Sequence, residues 1–407
     1  MTVAGDNAVC AVGQATQFRA ATAPLAPPEP VQAATAVPAA VAVVKEPRPQ
    51  WLDRGRIPCL DGLRAFSIAL VFLEHISLIV TRGHHVRHGP REGVAWYFGN
   101  VGGVGVDVFF AISGFLITLL LVRELNRADT ISLKGFYTRR FLRLMPAAIV
   151  FIGTIFALQL AGRLHLTGRN WAHVLTYTAN FDPQPAWQTG HLWSLSIEEQ
   201  FYFVWPIALL LLGPRRAGIA AFAWLIGAPL FRFALLRLHP HDMGRFDFWT
   251  PVRVDCIAAG CLLAVAAGDD RFRRMTRTSP RLAAALVGAA AFTMFASYVA
   301  GYLVPLYGVT VGHSVRAACV VAIIWLSINH AASTWGRLLE WRLLVGIGIL
   351  SYSLYLWQQL FLGRDSGSSP ATILLNVGLA VAAALGSYFL VERPFLRIKE
   401  RAGKRAA

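Results

Sequence analysis

The stretch LDGLRAFSIALVFLEHI, from Leu60 to Ile76, decides the class of fold. It is apolar and opens a segment of the roughly 20 residues that a membrane-spanning helix needs. It nevertheless contains four ionisable side chains, which are Asp61, Arg64, Glu74 and His75. A charged group near the centre of a bilayer costs about 2.5–3.5 kcal/mol on insertion scales. We therefore expect a chain that keeps several such groups in one span to use them.

Three of these side chains share one face of the predicted helix. At about 100° per residue, Asp61, Arg64 and His75 fall in one stripe. Arg64 and His75 are eleven positions apart, which corresponds to about three turns and about 16 Å along the helix axis. The spacing predicts Arg64 near the cytoplasmic end and His75 beyond the membrane midplane, on the same face. The alternative is that these charges only hold neighbouring helices together.

The composition of the whole chain agrees with a membrane protein. Of 407 residues, 56% are hydrophobic and only 15% are charged, and the mean hydropathy is +0.51. These values disfavour a soluble enzyme, whose surface needs more polar residues. The fold class we predict is all-α, a polytopic membrane protein of about ten transmembrane helices. The predicted spans are approximately 62–81, 101–122, 145–161, 196–213, 217–236, 252–267, 282–301, 315–329, 343–362 and 371–391.

The net charge of +16 is distributed as in an inner-membrane protein. Its Lys and Arg residues lie mainly in short loops between apolar segments, which matches the positive-inside rule. All strongly basic loops fall on one side if the apolar segment 171–181 does not cross. The expected partner of this charge is the lipid bilayer, with both termini cytoplasmic and no nucleic acid bound. There is no Cys-x-x-Cys pair, and we expect no metal and no bound cofactor.

Three regions follow along the chain. Residues 1–56 are rich in Ala and Pro and are predicted to be a disordered cytoplasmic tail. Residues 57–397 contain all the predicted spans, and residues 398–407 form a basic cytoplasmic tail.

Further polar groups recur near the predicted membrane boundaries. Asp107 lies near the outer end of the second span, and Glu198 lies near the outer start of the fourth. At the cytoplasmic face, a basic cluster precedes the third span and suits the binding of an anion; it consists of Arg139, Arg140 and Arg143.

Several of these stretches together resemble the integral-membrane acyltransferase family (acyltransferase type three) that O-acetylates bacterial surface polysaccharides and related molecules. They cover the chain from about residue 57 to 397, and their order is that of the family. The matching pieces are LDGLRAFSIALVFLEH, GVDVFFAISGFLIT, FYTRRFLRLMP, HLWSLSIEEQFYFVWP, RVDCIAAGCLLA, LSYSLYLWQQ and VERPF.

The resemblance implies roles for individual residues. Arg64 and His75 match the family's first-helix motif, in which the His is essential for acyl transfer. Asp107 and Glu198 match its acidic positions. The remaining matches are the cytoplasmic arginine motif, thought to help hold the phosphates of acyl-CoA, and an Arg-x-Asp motif; they are Arg139, Arg140 and Arg143, and then Arg253 and Asp255.

Two departures from the family pattern matter. Many members have His after YLW, whereas this chain has Gln358, which cannot take a proton at neutral pH. His75 is therefore favoured as the base. Some relatives also carry a soluble esterase-like domain after the membrane part, and this chain stops about ten residues past VERPF. We expect acyl transfer to be completed within the membrane domain.

The implied reaction moves an acyl group, with acetyl expected, from the co-substrate acyl-CoA to a hydroxyl of a carbohydrate or glycolipid. His75 would take the hydroxyl proton. A carboxylate would orient its ring; Asp107 and Glu198 are equally good candidates for this carboxylate, and Glu74 is the third. A double displacement with the acyl group on His75, Ser194 or Ser196 stays open. The residues expected to bind substrate are Trp193, Ser196, Arg253 and Asp255.

The main rival function is a transporter or flippase for an acyl group or a lipid-linked sugar. The same intramembrane charges would serve it. Against it, the two halves of the sequence show no inverted repeat. The acceptor and its hydroxyl stay open between surface glycans, peptidoglycan precursors, periplasmic glucans and a small metabolite. An aromatic-rich external loop, 171–193, would stack on sugar rings or form an interfacial belt.

Overall fold

The computed structural model describes residue 51 and residues 56–80, 101–240, 246–363 and 367–398, apart from the side chain of Tyr302. The predicted tails, 1–56 and 398–407, therefore lie almost entirely outside the described residues. Residues 82–97, between the first two predicted spans, lie outside them completely.

Within these ranges every regular element is a helix, which confirms the predicted all-α class. A 3₁₀ turn at Ala179–Phe181 and π turns at Gly308–Gly312 and Tyr388–Glu392 complete the elements. In chain order the α-helices are α1 (Pro58–Val80), α2 (Gly102–Ala128), α3 (Leu133–Leu160), α4 (Gly168–Leu175), α5 (Trp187–Gly190), α6 (Leu192–Leu238), α7 (Thr250–Arg253), α8 (Asp255–Ala267), α9 (Asp270–Met275), α10 (Pro280–Leu303), α11 (Pro305–Tyr307), α12 (His313–Asn329), α13 (Thr334–Leu339), α14 (Arg342–Phe361) and α15 (Pro370–Ser387).

Eight helical stretches of the described chain are long and apolar enough to cross a membrane. One of them runs from Trp187 to Leu238 and breaks at Gly213, whose φ of 73° and ψ of 165° are not helical. Because Pro214 follows directly, this stretch supplies two helices and accounts for two predicted spans. With the short apolar helix α8, each of the ten predicted segments contains a helix.

Two predicted boundaries are informative. The segment 171–181 holds only the end of the eight-residue helix α4 and a 3₁₀ turn, which is far too short to cross. Helix α3 begins at Leu133, well before the predicted start at 145, and Ser132 caps it by accepting from the Gly135 N–H at 3.2 Å. The basic stretch is therefore helical, and its arginines have fixed directions.

The outside of the bundle is apolar. Large side chains on several helices are strongly exposed, including Leu160 at 74%, Leu211 at 75% and Leu390 at 79%. A surface of this kind would aggregate in water but is stable in lipid. The polar and charged side chains of the spans are therefore directed inward.

Close contacts join the first helix to two neighbouring helices. Helix α1 packs against α2 and α14, and α2 packs against α8. The crossing of α2 and α8 depends on two glycines, because a Cβ on Gly114 would overlap the Ile257 carbonyl and one on Gly260 would overlap the Ala111 carbonyl. Small residues allow this backbone approach in membrane helices. The stripe that carries Arg64 and His75 thereby faces the interior.

Candidate active site

A cavity of about 450 Å³ lies beside the Arg64 end of α1. Arg140 and Arg143 of α3 also line this arginine cavity, because positions three apart lie on one helix face. Arg139 does not line it and instead pairs with Glu124 at 2.9 Å. The structure thus brings together Arg64 and two of the three arginines expected to bind an anion.

The arginine cavity has a surplus of positive charge. Arg64 is paired with Asp61 at 3.1 Å. Arg140 stacks its guanidinium 5.0 Å over the Tyr202 ring, and neither Arg140 nor Arg143 forms an ion pair with a described residue. Five guanidinium groups line the cavity against two carboxylates; these are Arg56, Arg64, Arg123, Arg140 and Arg143 against Asp61 and Glu392. Such a surplus suits a multiply charged anion.

A narrow cavity of about 100 Å³ continues from the arginine cavity and shares Arg64 and Arg140 with it. Glu198 lines this narrow cavity. Its carboxylate accepts hydrogen bonds from the Ser113 hydroxyl and the Tyr202 hydroxyl, both at 2.9 Å. Glu198 is therefore grouped with the arginines and does not line the cavity that contains His75.

The third and largest cavity, about 760 Å³, lies beside the other end of α1 and is called the histidine cavity. The His75 Nδ1 lies 2.8 Å from the Val71 carbonyl oxygen. A carbonyl only accepts, so Nδ1 carries the proton and Nε2 is the basic nitrogen. The expected orienting carboxylate is thus replaced at Nδ1 by a backbone carbonyl. Glu74 lines the same cavity and accepts the Gly103 N–H at 3.2 Å, and the Trp187 ring packs edge-on to His75.

Asp107 belongs to a buried ion cluster. It is 2% exposed and lies 3.1 Å from the Arg316 Nε and 3.8 Å from the Arg253 Nη1. Both guanidinium groups also approach the His313 Nδ1, Arg253 at 2.8 Å and Arg316 at 2.7 Å. Because a guanidinium only donates, His313 carries its proton on Nε2. The carboxylate expected to orient His75 is therefore shared between two arginines.

Sequence reasoning missed His313 and Arg316. Both line the histidine cavity. A signal is present in the sequence, since HSVR at 313–316 places two polar residues three positions apart at the start of the apolar span 315–329. Intramembrane ionisable residues on one helix face mark a functional site or an ion pair.

The two residues of the Arg-x-Asp motif lie in different environments. Arg253 lines the histidine cavity, with its guanidinium 5.2 Å over the Trp193 ring, and Trp193 lines the same cavity. Asp255 is 1% exposed and binds the fully buried Arg232 at 3.0 Å and the Ser314 hydroxyl at 3.1 Å. Asp255 lines none of the three cavities. These contacts are those of a buried ion pair, and substrate binding by Asp255 stays a prediction.

The two serines considered as acyl carriers are both hydrogen-bonded. Ser196 is buried; its hydroxyl donates to the Leu192 carbonyl at 3.0 Å and accepts the Ala179 N–H at 3.2 Å. It lines none of the three cavities. Its two hydrogen bonds instead connect α6 to the 3₁₀ turn. Ser194 lines the narrow cavity, with its hydroxyl 2.7 Å from that of Tyr355.

Gln358, which stands where many family members have His, is fully buried. Neither of its amide atoms has a hydrogen-bond partner among the described residues. Its neighbour Gln359 lines the histidine cavity and accepts the His191 backbone N–H at 3.0 Å. The glutamine with access to that cavity is therefore Gln359.

The chain is similar in sequence to known O-acetyltransferases. Peptidoglycan O-acetyltransferase OatA of Listeria monocytogenes is 28% identical over 75% of this chain and 49% of its own length. The putative peptidoglycan O-acetyltransferase YrhL of Bacillus subtilis is 31% identical over 83% of this chain and 54% of its own. O-acetyltransferase OatA of Staphylococcus aureus is 27% identical over 83% and 57%. No solved structure matches the chain.

The chain spans about half the length of these curated relatives. The model of the acyltransferase domain matches residues 57–392, which contain all the residues that line the three cavities apart from Arg56 and Leu396. With its polytopic helical fold, the protein therefore belongs to the integral-membrane acyltransferase family.

Proposed function

We propose that the protein transfers an acyl group, with acetyl expected, from cytoplasmic acyl-CoA to a hydroxyl of a carbohydrate or glycolipid on the outer side of the membrane. The observation that carries this proposal is the pair of large cavities beside opposite ends of α1. One holds surplus guanidinium groups and the other holds His75.

The arginine cavity suits the donor. Acyl-CoA carries several phosphate charges that are costly to bring near lipid. Guanidinium groups match phosphate oxygens in geometry and charge, and Arg140 and Arg143 are available for this role. Since the cavity lies at the end of the bundle with the basic α3 start, the positive-inside rule supports a cytoplasmic position for it. The same rule favours the bacterial inner membrane, with both termini cytoplasmic.

The histidine cavity suits the acceptor. Trp187 and Trp193 offer faces for a sugar ring, and Gln359 and Arg253 offer polar contacts. Because the relatives are named peptidoglycan O-acetyltransferases, peptidoglycan fragments are the first acceptors to test.

The chemistry we propose uses the His75 Nε2 as the base. It takes the proton of the acceptor hydroxyl while the oxygen attacks the thioester carbonyl, and the tetrahedral intermediate then expels the CoA thiolate. The thiolate takes the proton from the imidazolium, so the products are the acyl ester and free CoA. No group on the enzyme needs to be acylated.

A transfer assay tests this function. Purified protein in nanodiscs, mixed with isotope-labelled acetyl-CoA and soluble peptidoglycan fragments, should give labelled O-acetylated glycan by mass spectrometry and one free thiol per ester. Labelled glycan or acetyl moved across a vesicle membrane with no ester formed would instead favour a transporter. Replacing the fragments with cell-surface polysaccharide of the source strain separates a wrong acceptor from a wrong reaction.

A further inference from the structure

Tyr355 on α14 lies where two cavities adjoin. The arginine cavity and the narrow cavity share several lining residues, so they adjoin. The narrow cavity and the histidine cavity share only Val106 and Tyr355, so they adjoin at these two side chains. The smallest cavity, about 100 Å³, thus lies between two larger ones of about 450 and 760 Å³. Tyr355 is the larger of the two side chains at the boundary between the narrow cavity and the histidine cavity.

The Tyr355 side chain is held at its tip and along its ring. Its hydroxyl donates to the His191 carbonyl at 2.9 Å and lies 2.7 Å from the Ser194 hydroxyl. Its ring packs against the His191 ring at 5.4 Å and the Phe109 ring at 6.3 Å. A tyrosine fixed by packing and by hydrogen bonds keeps one position, so it sets the local width.

We propose that Tyr355 is the residue that determines which acyl groups this protein transfers, by limiting the width between the narrow cavity and the histidine cavity. The inference rests on the proposed function, because an acyl group bound from the arginine cavity must pass this point to reach His75. A straight acyl group is no wider than the pantetheine arm that carries it and passes the ring, whereas a branched acyl group is wider and meets close-packed atoms that cannot yield without breaking the hydroxyl contacts.

Changing the ring tests this inference. We expect Tyr355→Leu, in nanodiscs, to raise the ratio of kcat/KM for the branched isobutyryl-CoA to that for acetyl-CoA about tenfold, the lower end of the discrimination that a pocket gains per methylene group. Tyr355→Phe keeps the ring and should change the ratio less than about twofold, so it separates the effect of ring size from the effect of the hydroxyl group. Free thiol release and the mass of the acylated glycan measure both donors.

Tyr352→Leu is the matched control. Tyr352 lies one turn earlier on α14 and lines the arginine and narrow cavities, but it does not line the histidine cavity. Its substitution removes the same ring volume, and the isobutyryl to acetyl ratio should stay at the wild-type value.

An unchanged ratio in active Tyr355→Leu protein, or an equal change in Tyr352→Leu, would overturn the inference and leave the proposed function intact. A wild-type protein that transfers no acyl group from any CoA thioester would instead remove the proposed function. If Tyr355→Leu does not fold, Tyr355→Trp gives the opposite test. The larger ring should reduce isobutyryl transfer more than acetyl transfer, and equal reduction of both would overturn the inference.

Discussion

The arginine cavity and the histidine cavity are both lined by arginines, but these arginines differ in whether a described carboxylate pairs with them. In the arginine cavity, Arg140 and Arg143 have no ion-pair partner among the described residues. In the histidine cavity, Arg253 and Arg316 share the Asp107 carboxylate and the His313 nitrogen. A buried pair that loses one partner is strongly destabilised, so paired charges act as a scaffold. Charges that the protein leaves without a partner are suited to an anionic ligand.

The largest expected effect is at the histidine. His75→Gln keeps a side chain of similar size but removes the basic nitrogen, and we expect transfer to fall about 10²- to 10⁴-fold, the usual contribution of general acid–base catalysis. Rates of labelled ester formation measure this. The thermal midpoint and the acetyl-CoA affinity should match wild type. Transfer at the wild-type rate would remove His75 from the mechanism.

The next effect concerns the structural ion pair outside both cavities. Asp255→Ala leaves the Arg232 charge buried alone, so the free energy of unfolding should fall by about 3–5 kcal/mol. The double variant Arg232→Leu, Asp255→Leu removes both charges and should recover most of this loss. Unfolding in mixed detergent measures all three proteins.

A different result would restore the sequence-based prediction for Asp255. If Asp255→Ala keeps its stability but needs more acceptor for half-maximal rate, Asp255 binds substrate. The comparison between cavity-lining and scaffold charges would then be wrong at this position.

A smaller effect is expected in the arginine cavity. A hydrogen bond to a charged group contributes about 1.5–3 kcal/mol, so Arg140→Ala should raise the KM for acetyl-CoA about 10- to 150-fold with little change in the KM for the glycan. Arg139→Ala is the matched control, because Arg139 is adjacent but pairs with Glu124 outside the cavity. Its KM should stay within about twofold of wild type. Equal effects of the two substitutions would favour a purely topological role for these arginines.

The smallest effect is at the serine considered as an acyl carrier. Ser196→Ala removes the acceptor of the buried Ala179 N–H, so stability should fall by about 1–3 kcal/mol and transfer should continue. The thermal midpoint and the rate, measured on one preparation, separate these outcomes. Loss of all transfer in a folded Ser196→Ala protein would instead support the double-displacement route.

Local sequence patterns predicted the fold well. The apolar segments follow from hydropathy, and each of them contains a helix in the described chain. The shared helix face of Arg64 and His75 follows from helix period and stays a prediction, although both side chains line cavities. The partner of Asp107 could not be predicted, because Arg316 lies 209 positions away and meets it through helix packing. Helix packing likewise determines that Glu198 lines the narrow cavity, which the sequence alone could not predict.

Adjacent residues show the same limit of prediction from sequence. Arg139 and Arg140 have the same chemistry, and their separation depends on where α3 begins, which composition placed twelve residues too late. The two residues of the Arg-x-Asp motif likewise lie on different helices, because α7 ends at Arg253 and α8 begins at Asp255. Helix direction, rather than residue type, decides these roles.

Sidedness tests the central claim most directly, which is that donor and acceptor enter different cavities from opposite faces of the membrane. Protein reconstituted in one orientation in vesicles would receive labelled acetyl-CoA on one side and peptidoglycan fragments on the other. We predict labelled ester only when acetyl-CoA faces the arginine cavity and the fragments face the histidine cavity. Equal labelling when both substrates are confined to the same side would contradict the account.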